Sequence, residues 1–161
     1  MTIEPKRTQD LIFDALVDLL TKRSFDDICV TDICGRANVH RSTFYKYYVD
    51  KFELLEIHFR VIVEQTIQGK DDLSRFLRHV EENTHLYKPL LLDPKNCEAE
   101  QLFQRELALR LVETFVTDTE LSAQFLAGGL LSAVAFWLRF ENRDVTVDRL
   151  RTELDSFFSK S

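Results

Sequence analysis

The chain has 161 residues, a size typical of one ordinary domain or of two small domains packed together. Apolar residues make up 45% and charged residues 30%, with only four glycines and three prolines. This composition is globular and excludes a collagen-like, low-complexity or wholly disordered chain. So few glycines also argue against a Rossmann or P-loop nucleotide site. No catalytic motif is evident, so we do not expect an enzyme.

The net charge of −6 argues against a protein that coats nucleic acid with its whole surface. The charge is unevenly distributed, because residues 1–52 are neutral overall and the acidity follows residue 52. Residues 33–51 are locally basic, with a single acid, Asp50. The basic residues there are Arg36, Arg41, Lys46 and Lys51. Charge alone leaves open whether this segment binds nucleic acid or is an ordinary solvated surface.

Helical periodicity dominates the first third of the chain. An apolar stripe that starts at Leu11 predicts a first helix, which ends near residues 24–27. A short helix follows over residues 31–37, with Thr31 as its N-cap, and Asn38 predicts a tight turn because asparagine tolerates the left-handed conformation. A second short helix is expected from about Arg41 to residue 47. Asp50 then caps a long helix that runs to about residue 68.

Long helices account for the rest of the chain. The pattern predicts helices over about 71–87, 97–117, 119–141 and 146–159, with Gly69 and Pro89 as stops and a break at 89–94. No strand-like alternation exceeds four residues. The sequence therefore predicts an all-α protein.

Two short helices joined by a tight turn, with a basic second helix, are the ingredients of a helix-turn-helix, whose second helix enters the major groove. Phe44 and Tyr48 lie four residues apart and are expected to face inward. The residues left for the outer and flanking faces are Arg41, Ser42, Thr43, Tyr45, Lys46 and Tyr47. Arginine, lysine and hydroxyl side chains can bind bases or phosphates. The alternative is an ordinary three-helix cluster with exposed polar residues.

The order of residue types in this segment is more specific than its period. Residues 29–55 read CVTDICGRANVHRSTFYKYYVDKFELL. This stretch closely resembles the N-terminal signature of the TetR family of bacterial transcription regulators, and the resemblance extends over about residues 5–65. It implies a DNA-binding domain over 5–65, with the helix-turn-helix at about 28–47. A C-terminal helical domain for dimerisation and effector binding would follow over 66–161, with about nine helices in all.

The resemblance also implies which side chains contact DNA. The contacts carried over are Thr31, Arg41, Ser42, Thr43, Tyr45, Tyr47 and Lys51. We expect Arg41 and Thr43 to reach base edges and the others to hold phosphates. The chain departs from the family pattern at Cys29, Asn38, His40, Ser42 and Tyr47. Because several of these positions face the DNA, the operator sequence cannot be inferred from a relative.

Two later stretches resemble a subgroup of short TetR-like regulators: ENTHLYKPLL over 82–91 and FLAGGLLSAVAFWL over 125–138. The second is apolar on nearly every side and should be buried on every side. Gly128 and Gly129 each cost about 1 kcal/mol inside a helix, which close approach of another helix would offset. We therefore expect a homodimer formed by helices 119–141 and 146–159 that binds a palindromic operator. Burial within a single small domain is the alternative.

A small hydrophobic effector is the least supported partner. Its proposed pocket residues are Phe76, Phe103, Phe136 and Trp137, although such aromatic residues are more often plain core. No metal or other cofactor is expected, since the His and Cys spacings match no metal site and the three thiols should be reduced and mostly buried. The longest apolar run, residues 125–138, is too short to span a bilayer, so no membrane partner is expected.

Two functions remain from the sequence. The preferred one is a cytoplasmic, homodimeric repressor of a palindromic operator, relieved by a small molecule. The alternative is a TetR-fold interaction or co-activator module that acts through a partner protein, which the altered recognition surface and the overall acidity favour.

Overall fold

The computed structural model describes residues 7–68, 73–115 and 119–140, together with 148, 149, 152 and 156. These residues form eight α-helices and one short 3-10 helix, and they contain no strand. The α-helices are α1 (Thr8–Leu20), α2 (Val30–Ala37), α3 (Arg41–Phe44), α4 (Lys51–Thr66), α5 (Leu73–Glu82), α6 (Thr84–Leu92), α7 (Cys97–Phe115) and α8 (Glu120–Phe140). The 3-10 helix is Pro94–Asn96. The all-α prediction is confirmed, while Gly69 and most of the predicted helix 146–159 lie outside the described residues.

Helices α1 to α3 form a small three-helix unit against the start of α4. Leu16 of α1, Ile33 of α2 and Phe44 of α3 are fully buried in a common core. Tyr48, just after α3, is also buried, so the predicted inward pair of Phe44 and Tyr48 is confirmed. Asp50 caps α4 as expected, because its carboxylate accepts the backbone N–H groups of residues 52 and 53, both at 2.9 Å.

The sequence prediction of one helix over 71–87 is wrong in two respects. The chain breaks at Asn83, whose φ of −120° and ψ of 37° are not helical, so α5 and α6 are separate helices. Helix α6 then continues through Pro89 to Leu92. Proline lacks only its own N–H, and its carbonyl remains available. The Pro89 carbonyl accepts a hydrogen bond from Asn96 Nδ2 at 2.8 Å, which provides a partner for one of the last carbonyls of this short helix.

Aromatic side chains of α4, α5 and α6 pack around Phe103 of α7. Its ring centroid lies 4.4 Å from that of Phe59, 6.0 Å from that of Phe76 and 5.6 Å from that of Tyr87. All four side chains are buried. Phe103 and Phe76 are therefore part of a close-packed aromatic core, the alternative that the sequence had left open.

Helix α8 is amphipathic in the single chain. Ala127, Leu130 and Val134 are buried among α6 and α7, whereas a second stripe of large apolar side chains is exposed. Its members and exposed fractions are Leu121 (80%), Phe125 (70%), Phe136 (63%) and Phe140 (58%). The expectation that this helix is buried on every side is thus not met within one protomer.

Two further points in the sequence reading of α8 need correction. The helix has 21 residues, more than the apolar run 125–138, and it is long and apolar enough to cross a bilayer by length and composition alone, a property that the core helix of a folded domain shares. Gly128 faces α7, where an added Cβ would lie 3.1 Å from Gln104 Nε2. Gly129 faces open space, so only Gly128 is explained by a neighbouring helix of the same protomer.

A half-buried histidine joins α1 to α4. The ring of His58 stacks on Phe13 with centroids 3.9 Å apart, and its Nδ1–H donates to the Leu54 carbonyl at 2.9 Å. Burial lowers the pKa of His58 below its usual 6.5. Since the folded state disfavours the protonated ring, its contribution to stability is complete above pH 6.5 and is lost as the pH falls through that value toward the lower folded pKa.

We therefore expect the free energy of unfolding to fall between pH 7.5 and 5.5, by at most about 1.4 kcal/mol per pH unit for each proton taken up. His58→Phe keeps the aromatic stack and should make this pH dependence shallower. His85 is exposed, so His85→Gln is the matched control. Urea unfolding followed by circular dichroism at each pH provides the measurement, and identical slopes for His58→Phe and the parent chain would contradict the prediction.

Candidate nucleic-acid interface

The N-cap of helix α2 lies two residues before Thr31, the predicted cap. Cys29 is the N-cap, and its backbone N–H donates to Asp32 Oδ2 at 2.9 Å. That hydrogen bond, together with contacts to the Cys29 side chain and to Arg23, lowers the pKa of Asp32 to about 2. Thr31 is therefore an exposed residue inside the first turn, and its predicted capping role is wrong.

The turn after α2 has the predicted chemistry. Asn38 adopts the left-handed conformation, with φ of 54° and ψ of 46°, and it is the one non-glycine residue with positive φ in the described chain. Asparagine tolerates this conformation better than most residues. The Val39 N–H then donates to the Cys34 carbonyl at 3.0 Å, which closes the turn and directs the chain into α3.

Helix α3 is shorter than predicted, since regular α-helix ends at Phe44 and not at residue 47. Helical hydrogen bonds nevertheless continue, because the N–H groups of Tyr47 and Tyr48 donate to the Phe44 carbonyl at 2.9 and 3.0 Å. Residues 41–48 thus form a compact rod. His40 occupies the N-cap position without a side-chain hydrogen bond, in keeping with its weak capping ability.

The outer surface of this rod carries polar groups. Arg41, Ser42, Tyr45 and Tyr47 are exposed, while Thr43 is half-buried. Arg41 Nη2 donates to Tyr45 Oη at 3.4 Å, and the guanidinium carbon lies 5.9 Å from the centre of the Tyr45 ring. This hydrogen bond raises the pKa of Arg41 above its usual value. The contact orients a permanently charged donor group at the start of α3.

Lys51 has a different environment from the one predicted. Its ammonium donates to the carbonyls of Phe25, Asp26 and Ile28 at 2.7, 3.1 and 2.9 Å. An ammonium has three N–H donors, so these carbonyls use all of them. Burial lowers the pKa of Lys51. This geometry ties the α1–α2 loop to α4 and does not favour a phosphate contact.

Lys46 is the cation that sequence reasoning left out of the predicted contact set. Its side chain is exposed on the rod, and its ammonium has no ion pair or hydrogen bond within the part of the chain that the structure describes. Arg36, by contrast, pairs with Asp18 of α1. Among the described residues, Lys46 is free and Lys51 is bonded because of contacts made in the tertiary fold. The sequence therefore predicts only that Lys46 lies on the outer face.

The predicted effector residues do not come together around one cavity. Phe76 and Phe103 lie in the aromatic core, whereas Phe136 is exposed on α8 beside Phe140. Trp137 is partly buried against the core.

A cleft of about 100 Å³ between α4 and α7 is lined by other residues, among them Arg60, Glu106 and Arg110. The arginines there are already engaged, since Arg60 Nε donates to Glu106 at 3.1 Å and Arg110 Nε donates to the Ile67 carbonyl at 2.6 Å.

The thiols are also placed differently from the expectation. Cys34 is buried, and burial raises the pKa of its thiol, but Cys29 and Cys97 are exposed. Among the described residues, no group of three or more His, Cys, Asp or Glu side chains is arranged to hold a metal ion.

Comparison with known proteins identifies the fold. No family model matches the chain. The HTH-type dhaKLM operon transcriptional activator DhaS of Lactococcus lactis subsp. lactis (strain IL1403) is 30% identical over 125 residues, which cover 73% of this chain and 65% of DhaS. The match therefore spans slightly less than two thirds of that relative.

Solved structures match over nearly the whole chain. A TetR transcriptional regulator from Streptococcus agalactiae 2603V is 26% identical with a TM-score of 0.63, and covers 93% of this chain and 92% of its own. Lin0861 from Listeria innocua has a TM-score of 0.71 at 20% identity, with 100% and 97% covered. The structure of the dihydroxyacetone kinase operon activator DhaS has a TM-score of 0.64 at 22% identity, with 93% of each chain covered.

The geometry and these matches define a helical protein with an N-terminal helix-turn-helix, a class typical of transcription regulators. More specifically, the chain has the TetR fold, and the resemblance to the TetR family seen in its sequence is confirmed.

Proposed function

We propose that this protein is a sequence-specific, DNA-binding transcription regulator that acts as a homodimer. The observation that carries the proposal is the rod 41–48, which is anchored in the core by Phe44 and Tyr48 and exposes Arg41 and Tyr45. A rod of this width fits the major groove of B-DNA. We assign DNA binding to residues 5–65 and dimerisation to residues 66–161.

Roles within the interface follow from exposure and charge. Arg41 and Thr43 contact base edges, since they stand at the start of the rod, where recognition helices reach the bases. Phosphates are held by Thr31, Ser42, Tyr45 and Tyr47. Lys46 takes the phosphate role predicted for Lys51, because its ammonium is exposed and the Lys51 ammonium is saturated by carbonyls.

The exposed apolar stripe of α8 supports a homodimer. Several large apolar side chains exposed along one helix of a folded chain typically mark an interaction site. Pairing of two α8 helices about a two-fold axis would bury Phe125 and Phe136 of each protomer. Two-fold symmetry would also present two rods about 34 Å apart, or slightly more, to a palindromic operator.

The direction of regulation has two candidates. In the first, the dimer occupies its operator in the cytoplasm as a repressor and is released by a small hydrophobic molecule. In the second, the protein activates transcription through a partner protein. The second gains support from the resemblance to DhaS, whose name describes an activator, and from the close packing of Phe76 and Phe103, which leaves the predicted effector residues without a common cavity.

The proposal is tested by incubating the purified full-length chain with sheared genomic DNA of its source organism and sequencing the retained fragments. Enrichment of a few sites that share a palindrome supports it. Binding should weaken steeply with salt, with a slope of log K against log salt of about −0.9 for each phosphate neutralised. Recovery of a stable protein partner without retention of any DNA fragment would favour the co-activator alternative.

The two lysines offer a paired prediction. Lys46→Ala should weaken operator binding, reduce the magnitude of the salt slope by about 0.9 and leave stability unchanged. Lys51→Ala should instead lower the free energy of unfolding by about 2 kcal/mol, a typical value for hydrogen bonds to a charged group. Fluorescence anisotropy across a salt series and urea unfolding measure the two effects. Similar behaviour of the two variants in both assays would contradict the distinction.

A further inference from the structure

The loop between α1 and α2 is held by polar groups from the C-terminal half of the chain. The Phe25 N–H donates to Asn96 Oδ1 at 3.0 Å, and the Ser24 hydroxyl donates to Asp93 Oδ2. Both acceptors belong to the short segment that follows α6. The helix-turn-helix unit is therefore bonded across 69 and 71 residues of sequence to the end of α6.

The acceptor side of this contact is itself fixed. Asn96 is fully buried, and its Nδ2 donates to the Pro89 carbonyl within α6. Asp93 Oδ1 accepts the Lys95 N–H at 3.0 Å and so caps the 3-10 helix. The Asn96 amide therefore forms one hydrogen bond to each half of the chain. If either bond is broken, a buried polar group is left without a partner, and the folded state is destabilised.

The same loop also contacts α4. Lys51 binds the Phe25 carbonyl at 2.7 Å, while Asn96 binds the N–H of that same residue. The Phe25 ring is buried and packs edge-on against Phe52 at 5.2 Å. The loop thus joins the recognition unit both to α4, the helix that continues covalently into the C-terminal half, and to α6.

We propose that Asp93 and Asn96, the 93–96 latch, fix the orientation of the helix-turn-helix relative to the C-terminal helices and thereby determine which spacing of operator half-sites the dimer accepts. The statement about operators rests on the proposed function. Without the latch, the polar tie to the segment after α6 is lost, and the recognition unit is held through α4 and the packing of α1 against α6. Asp93 and Asn96 are positioning residues and do not touch DNA.

Orientation can be measured directly in the full-length chain. Spin labels at Lys46→Cys and Arg78→Cys, two exposed positions of which one lies in each half of the chain, report the distance between the halves by double electron–electron resonance. The exposed Cys29 and Cys97 are replaced by serine, and excess unlabelled chain removes signals between protomers. We expect a narrow distribution that broadens or shifts in Asn96→Ala and in Asp93→Ala.

Asn83→Ala is the matched control. Asn83 also donates from Nδ2 to a backbone carbonyl at 2.8 Å, but its partner is His79 of the adjoining helix, so no contact between the halves is lost. This variant should retain the narrow distribution even if its stability falls. If Asn96→Ala does not fold, Ser24→Ala removes only the Ser24–Asp93 bond and serves in its place. An unchanged distribution in the folded latch variants would overturn the proposal.

A second readout addresses the operator. For the parent chain, affinities for the selected palindrome and for versions with one base pair added to or removed from its centre define a spacing preference. The latch variants should lose about fivefold or more of that discrimination, the lower end of a typical coupling between sites, and Asn83→Ala should retain it. If the parent chain binds no DNA, the proposed function is wrong. The spin-label distances still show whether the 93–96 latch fixes the orientation of the helix-turn-helix.

Discussion

Replacing Arg41 and Tyr45 together by alanine is expected to lower specific operator affinity by at least about a hundredfold while the chain remains folded. A good base contact from arginine is worth about 1–3 kcal/mol, and about 1.4 kcal/mol corresponds to a tenfold change in affinity. Tyr45 adds its own contact and holds the guanidinium through the hydrogen bond at 3.4 Å. The double substitution therefore removes both the Arg41 guanidinium that contacts DNA and the Tyr45 hydroxyl that orients it.

The stability of the double variant should be nearly unchanged. Both side chains are exposed, and surface substitutions typically alter stability by less than about 0.5 kcal/mol. Arg78→Ala on α5 removes an exposed cation outside the helix-turn-helix and controls for a general effect of net charge. Anisotropy with a selected fragment at fixed salt gives the affinities, and thermal unfolding gives the stability. If the double variant binds the operator as tightly as Arg78→Ala does, α3 is not the recognition helix.

Local chemistry explains why so much of this interface was predictable from sequence. Asn38 ends α2 because its own conformational tolerance suits a tight turn, and Asp50 caps α4 because its carboxylate reaches N–H groups two and three residues away. The inward pair Phe44 and Tyr48 follows from helical spacing. Each inference needs only residues within one turn of each other, so no knowledge of the tertiary fold is required.

Predictions that depended on distant partners were less successful. The ammonium of Lys51 binds carbonyls 23 to 26 residues away, and nothing in its neighbourhood along the chain indicates that contact. Phe103 and Phe136 look alike as aromatic residues on apolar helices, yet one lies at the centre of the core and the other is 63% exposed. Asn96 lies between the predicted break at 89–94 and the helix predicted from about residue 97, and no role was assigned to it, yet it is the buried residue that joins the two halves.

The outer stripe of α8 gives the second large expected effect. Phe125→Glu combined with Phe136→Glu should convert the proposed dimer to monomers, because two carboxylates per protomer would be buried without partners. An uncompensated buried charge costs about 3–5 kcal/mol, so the dissociation constant should rise by at least about a thousandfold. Val61→Glu, which alters an exposed apolar residue on α4, is the control. Sedimentation equilibrium measures the association.

Gly129→Leu separates an effect on the interface from an effect on the protomer. A Cβ at Gly129 meets nothing within 4 Å in the single chain, so the protomer accommodates a side chain there and gains helix propensity. If α8 pairs with a second copy through this face, the same side chain must collide with the partner helix and weaken the dimer. If Gly129→Leu is monomeric and as stable as the parent protomer, the dimer contact includes Gly129. A dimer of unchanged affinity would place the two-fold interface elsewhere and leave the exposed stripe for a different partner.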